Sequence, residues 1–489
     1  MTPGHTALSR FARARVWLVP AVLLLAVALP HLDQGDFRGD AGWYSAIGVQ
    51  AWRTGSLWTI YADPGQAYFN KPPLAFWIHG LVLHLFGVSL VAARLPAVIA
   101  ALGCVLLTVA ITRELATRRA AVLAGVAMAL SLEFFRRVRE VSLDMWQLLF
   151  VLAALWLAAA AVKRGRGWLL VAAGVPLGLA LLCKPLNGLL LIPILAAWML
   201  WAGRARMLPW LLGTLGAAVA VAAPWHISMW ATHGQDFLDQ YFGAEIGERL
   251  AANPAGPISG NPPWFYLEKL GTLYWPWMIA VAIAAVHWLR GRPLSRGNLA
   301  GKLAVVWTVA WLAALTLYAD RRDRYGLPLY AGLGMLAGLG LAAAPAMRFP
   351  RRWMLRWLAP AFAAGAVAVA ALPVRVHERN ETHWPELYAW LRQTEHIEGG
   401  FPDLWQGAFG GHHGARLYLE FGRWPHPTRN RWNRFIADPP SGVLLIYHRR
   451  DGLAPGPTER ILWRSSDDEL TVTRLDGPWT PEGAPDPGE

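Results

Sequence analysis

The sequence predicts a polytopic α-helical membrane protein, and three observations carry that prediction. Of 489 residues, 55% are hydrophobic and only 16% are charged, and the mean hydropathy is positive. Soluble globular chains are not built this way. The apolar residues gather into runs of roughly 17–25, about the length that crosses a bilayer core. The Lys and Arg residues behind the formal charge of +13 fall in short clusters between those runs, which is how membrane topology is written into a chain. The same clustering excludes nucleic acid as a partner, because no soluble face interleaves basic and stacking residues. The two cysteines, Cys104 and Cys183, both lie in apolar runs. They are too few for a disulfide framework and read as packing residues.

Arg10, Arg13 and Arg15 precede the first run, Val16 to Pro30. No small-residue cleavage site follows it and further spans do, so it reads as a retained first helix with a cytoplasmic N-terminus. The loop that follows, residues 31–73, holds several carboxylates and closes on Lys71-Pro72-Pro73. The next run, Leu74 to Phe86, is only about thirteen residues and carries His79 and His84. That is short for a span and suits an interfacial or re-entrant helix.

Leaving it out of the count gives about 11 spanning helices: 16–30, 91–111, 119–135, 145–162, 167–183, 186–202, 208–229, 273–289, 299–319, 325–344 and 357–374. Every cytoplasmic loop is then basic: Arg113/Arg118/Arg119, Lys163/Arg164/Arg166, Arg204/Arg206, Arg290/Arg292/Arg296 and Arg348/Arg351/Arg352. The positive-inside rule asks for this arrangement. The same parity gathers the opening loop, the Arg136 to Asp144 turn, Lys184, the long loop 231–271 and the Asp320 to Tyr325 turn on the outer face.

After about Val374 the chain changes character, with more turn residues, charges and aromatics. His383 to Gln393 reads as a short amphipathic helix and Gly442 to His448 as a strand. The expected domains are a transmembrane unit over 1–374, a small extracytoplasmic α/β domain over 375–475, and a Pro-, Gly- and acid-rich tail, 476–489, expected to be disordered. The sequence shows no solenoid repeat.

Several residues are placed for chemistry. Asp40 opens DAGWY just past the first span; it suits a general base, and equally a loop acid or a helix cap. Asp33, Asp36 and Asp63 compete with it. Lys71 at the membrane boundary suits either a snorkelling anchor or a phosphate ligand. Asp144 heads an apolar helix, where the helix dipole favours an acid.

Arg136, Arg137 and Arg139 stand outside, against the topology rule. Lys184 lies alone between LGLALLCK and PLNGLLLIP; so placed, it needs an aqueous cavity or an anion. Arg249, and the Arg321, Arg322 and Arg324 cluster, add further outer cations, with Asp320 and Asp323 as available salt-bridge partners. Together such cations suit a lipid-linked phosphate, Arg as a fork and Lys as a point charge. His226, His233, His287 and the His412-His413 pair have no metal-ligand spacing. There is no P-loop, dinucleotide fingerprint or Ser/His/Asp signature.

The order DAGWYSAI, NKPPLAFWIHGLVLHLFG, ARLPAVIAAL, VSLD, LLCKPLNGLLL, APWH, ERL and RYGLPLY resembles the GT-C glycosyltransferases. More narrowly, it is similar to the bacterial branch of lipid A aminoarabinose transferases and relatives of the protein O-mannosyltransferases. The likeness covers roughly Val16 to Ala344. It implies a GT-C-like fold, with Asp40 as base and Tyr44 beside it. It also implies that Lys71 and Lys184 line a polyprenyl-phosphate site, with Asp144, Arg249 and Tyr325 in the same cavity. Arg324 joins the donor-phosphate set and Arg139 the wider cavity. Two positions depart from the pattern: Ala41 stands where the family has Glu, and Asn70 where it often has an acid. Both changes remove ligands that a divalent metal or a sugar would use, and whether the acidic loop holds a divalent metal stays open.

The implied activity is inverting transfer of an aminoarabinose- or hexose-type sugar from a polyprenyl-phosphate donor at the outer face of a bacterial-type cytoplasmic membrane. The implied acceptor is lipid A, another glycolipid or a protein. A lipid or polysaccharide transporter, or a non-catalytic protein of the same fold, are the alternatives. A transporter more often shows internal repeats or broken central helices.

Overall fold

The computed structural model describes residues 3–30, 32–33, 39–63, 66–184, 187–247, 261–292, 298–318, 321–344, 383–393, 404–406, 419, 426–427, 444–448 and 455–475. The expected span 357–374, Asp36, Arg249, His412-His413 and the tail from 476 lie outside the described residues.

Helix α1 (Pro3–Ala28) leads to α2 (Gly39–Thr54) and a two-stranded antiparallel ribbon, β1 (Tyr61–Asp63) with β2 (Gln66–Ala67). Helix α3 is the short apolar run, Leu74–Phe86, and it lies against α2. The two are stitched by Trp52 Nε1 donating to the Trp77 carbonyl at 2.8 Å and Trp77 Nε1 donating to the Leu57 carbonyl at 2.7 Å. Their crossing is so close that a Cβ on Gly80 would overlap the Gly48 carbonyl, and a Cβ on Gly48 would sit 2.7 Å from the Phe76 oxygen. Glycine is required at both positions. On its far side α3 meets α4 (Leu90–Leu115), and the buried His79 Nδ1 donates to the Ala93 carbonyl at 2.9 Å.

The run expected as one span at 119–135 is two helices, α5 (Arg118–Ala129) and α6 (Leu132–Val138). The break is at Ser131, whose backbone is extended and whose hydroxyl donates to the Ala127 carbonyl at 2.5 Å. A serine bonding back to the preceding turn competes with the helical ladder. Helix α7 (Leu143–Arg164) is capped by the Ser142 hydroxyl accepting from Met145 N at 3.3 Å.

Helices α8 (Trp168–Leu181) and α9 (Leu191–Trp201), joined through a 3-10 turn at Asn187–Leu190, hold 14 and 11 residues. At 1.5 Å per residue they are about 21 and 17 Å long, short of a bilayer core of roughly 30 Å. Helices α10 (Trp210–Phe237), α11 (Phe265–Leu273), α12 (Trp275–Leu289), α13 (Leu299–Leu317) and α14 (Leu327–Ala343) complete the bundle. Five helical stretches among the described residues are long and apolar enough to cross a membrane, and a sixth follows if the bent α11–α12 pair is one span.

One large core built from α4, α5, α7, α8, α9, α13 and α14 holds the bundle together, with Trp198 and Trp307 fully buried in it. Beyond the bundle, α15 (His383–Gln393) falls on the expected amphipathic segment. A five-stranded mixed sheet has the order β4 (His426–Pro427), β3 (Leu404–Gln406), β5 (Leu444–His448), β7 (Leu470–Leu475), β6 (Glu459–Arg464). Glu386 of α15 accepts from the backbone and hydroxyl of Ser466, and Trp390 stacks on Trp463 at 5.9 Å.

Candidate active site

Helix α2 begins at Gly39, so Asp40 sits in its first turn, where unpaired backbone N–H groups favour a carboxylate. Its Oδ2 is paired with Arg324 Nη1, which comes from the 3-10 turn Asp323–Gly326 ahead of α14. Asp144 occupies the first turn of α7 and accepts from Lys184 Nζ at 2.6 Å. Lys184 stands where α8 has ended, and its carbonyl accepts from Gln147 Nε2 at 2.8 Å. The start of α3 is sewn to the same place, Leu74 N donating to the Leu182 carbonyl at 3.1 Å.

Tyr325 joins the two ion pairs. The Lys184 ammonium lies 4.1 Å from its ring centroid and the Arg324 guanidinium 5.6 Å from it, both within cation–π range. Lys71 is buried, and its charge, like that of Arg324, acts on Asp144. Five of the residues singled out in the sequence, Asp40, Lys71, Asp144, Lys184 and Arg324, thus form one electrostatic cluster, with Tyr325 in its middle. Three cations, Lys71, Lys184 and Arg324, and two acids, Asp40 and Asp144, take part in it.

Tyr44, one turn along α2 from Asp40, packs edge-on against Phe76 at 5.3 Å. Burial pushes its phenol well above the ordinary range, and Tyr68 and Asp40 push the same way. It is a neutral hydroxyl at physiological pH and not a base.

Arg139 is the residue the structure turns elsewhere. Its Nη2 donates to the Val27 carbonyl at the end of α1, and its guanidinium covers the Phe135 ring at 4.4 Å. Burial, and then the charge of Arg94, lower it to about 10, so it remains a cation with its face to protein. Gln147, which fixes Lys184, was not singled out, and Asp323, offered as a salt-bridge partner for its own arginine cluster, is held by Arg137 and Lys269 from two other elements. The only sequence signal for Asp323 was its place inside an arginine cluster.

Among the described residues, no three His, Cys, Asp or Glu side chains come together in a way that would hold a metal ion. The cluster's two carboxylates are already engaged by Arg324 and Lys184. The donor set among the described residues therefore does not fit a metal.

Residues 70–230 match the family model for dolichyl-phosphate-mannose-protein mannosyltransferase. Two solved structures of ArnT from Cupriavidus metallidurans superpose with TM-scores of 0.71 (apo) and 0.72 (bound to undecaprenyl phosphate). Identity is 18% and 19%, over 96% of this chain and 100% and 99% of those. This chain has the GT-C fold. The archaeal oligosaccharyltransferase AglB from Archaeoglobus fulgidus shares it at a TM-score of 0.55 and 15% identity, over 86% of this chain and 64% of that one.

In sequence, this chain is 30% identical over 290 residues to the undecaprenyl phosphate-alpha-4-amino-4-deoxy-L-arabinose arabinosyl transferase of Erwinia tasmaniensis, covering 57% of this chain and 51% of that enzyme. It is 30% identical over 346 residues to the Pseudomonas paraeruginosa enzyme of the same description, covering 67% and 60%. The match thus spans about half to three-fifths of the length of these relatives.

Proposed function

We propose that this chain is an inverting glycosyltransferase that takes an aminoarabinose-type sugar from undecaprenyl phosphate and passes it to a glycolipid such as lipid A. The observation that carries the proposal is the meeting of Asp40–Arg324 and Asp144–Lys184 around Tyr325, with the charge of Lys71 acting on the same acid. A phosphodiester donor brings one negative charge, which such a group of cations suits. The names of the relatives support the sugar and the lipid carrier.

In this reading Lys71, Lys184 and Arg324, with Arg249 from the long loop, hold the donor phosphate. Arg324 exchanges Asp40 for the phosphate, and Asp40 turns to the acceptor and takes its proton as the acceptor oxygen attacks the anomeric carbon. The carbon–oxygen bond to the phosphate breaks with inversion, and the leaving phosphodiester becomes a monoester with a second negative charge. That charge needs cations fixed in advance more than it needs an acid. Tyr44 and Tyr325 form walls, and no step passes through a metal. Eleven spans, a cytoplasmic N-terminus and an outer-face terminal domain over 375–475 complete the proposal and set the cavity at the outer face of a bacterial cytoplasmic membrane.

The test is transfer in proteoliposomes holding the purified chain, with undecaprenyl-phosphate aminoarabinose as donor and lipid A, a simpler glycolipid or a peptide as acceptor. Product should form on lipid A and disappear with Asp40→Asn. No product from any acceptor, or full turnover by the variant, sinks the assignment.

A further inference from the structure

Arg324 has a long, flexible side chain, yet it stands between two carboxylates and against one aromatic ring. What holds it there lies one residue earlier. Asp323 meets Arg137 Nη2 at 3.7 Å through Oδ2, and Lys269 Nζ at 3.4 Å through Oδ1. These cations come from α6 and α11, two elements far apart in sequence from the turn. Arg137 is itself fixed, with Nε donating to Glu133 at 2.7 Å and Nη1 donating to Glu140 at 2.8 Å. Glu133 is 2% exposed and also meets Arg136 at 3.3 Å. A buried carboxylate so engaged is a firm post, because leaving either partner alone would strand a charge.

The backbone of the same turn is pinned as well. The Tyr266 hydroxyl donates to the Arg322 carbonyl at 3.0 Å, and Asn261 Nδ2 to the Arg321 carbonyl at 2.8 Å. Arg321 returns the contact, donating to the Asn261 carbonyl at 3.0 Å and to the Thr316 carbonyl at 2.8 Å.

We infer that Asp323, clamped between Arg137 and Lys269, is a positioning residue that sets where the Arg324 guanidinium stands between Asp40 and the donor phosphate. The inference rests on the cavity proposed above. Asp323 touches neither substrate; it acts through Arg324. Shifting a charge-stabilising group by about 1 Å can lower a rate about a hundredfold, so a clamp of this kind has a measurable effect.

The experiment uses the purified full chain and the variants Asp323→Asn, Asp323→Glu, Arg137→Gln, Arg137→Lys, Arg324→Gln and Asp323→Asn with Arg324→Gln. Turnover, donor and acceptor KM, equilibrium binding of undecaprenyl phosphate, and Tm are measured on each. Asp323→Asn should lower kcat about tenfold and weaken undecaprenyl phosphate binding by a similar factor, with acceptor KM and Tm close to wild type. Arg137→Gln should do the same more mildly, and Asp323→Glu and Arg137→Lys should recover most of the loss. The double variant should bind undecaprenyl phosphate no worse than Arg324→Gln alone.

The inference is overturned if Asp323→Asn leaves kcat and binding unchanged, if its effect multiplies with that of Arg324→Gln, or if activity falls only as Tm falls. Should Asp323→Asn not fold, Arg137→Gln and Arg137→Lys carry the same comparison. If Arg324→Gln alone retains full binding and turnover, the cavity reading fails first and the clamp with it. If Arg324→Gln is impaired and Asp323→Asn is not, only the clamp fails.

Discussion

Helix α7 carries an ion pair at each end, and the two are unlike. At its start Asp144 meets Lys184 at 2.6 Å, with side chains 14% and 9% exposed. At its finish Lys163 and Arg164 meet Glu114 of α4 at 3.5 and 3.0 Å, and both cations are about half exposed. A surface pair contributes about 0–1 kcal/mol, since water screens it and two long side chains lose freedom. A buried pair gains little over well-packed apolar residues, but removing one partner costs about 3–5 kcal/mol. The Asp144–Lys184 pair is therefore a poor way to stabilise a helix bundle. Its presence there, under the influence of Lys71 and Arg324, makes sense for an anion-binding cavity.

Four variants test that contrast. Lys184→Ala should have the largest effect: about 3–5 kcal/mol of stability lost through the stranded Asp144, read by denaturant unfolding in detergent, together with loss of transfer. Asp40→Asn should lower turnover by about 10²–10⁴ and leave the unfolding midpoint in place. Pairing Lys184→Met with Asp144→Leu should bring stability back to within about 1 kcal/mol of wild type or above it, while transfer stays absent. A double variant as unstable as Lys184→Ala would mean that the pair is structural after all. Glu114→Gln, at the other end, should change stability by no more than about 1 kcal/mol and leave turnover within the error of the assay. A large loss there would erase the distinction.

What the sequence revealed follows the range of each interaction. The apolar runs were readable because a span is a local property of about twenty residues, and α3 was readable as an exception because it is thirteen residues long. Lys184 stood out because a lone lysine in apolar surroundings needs a partner. That the partner is Asp144 could not be read, since nothing local links two positions 40 residues apart. Among Arg321, Arg322 and Arg324, the backbone of one turn decides which reaches Asp40. Arg321 goes instead to the carbonyls of Asn261 and Thr316. Arg139 shared the topology anomaly of its neighbours but is spent on the end of α1. The break at Ser131 was hidden because alanine and leucine continue the apolar pattern on both sides of it.

The shortness of α8 and α9 has a consequence for how the chain enters the membrane. Neither helix is long enough to be a confident insertion signal by itself, and the turn between them carries a cation that a translocating machine resists placing in lipid. Asp144 is synthesised 40 residues before Lys184. When the lysine is made, the residue that becomes its counter-ion is already part of the growing chain. The pair proposed to face substrate can thus first serve assembly, as the acid receives the α8–α9 hairpin.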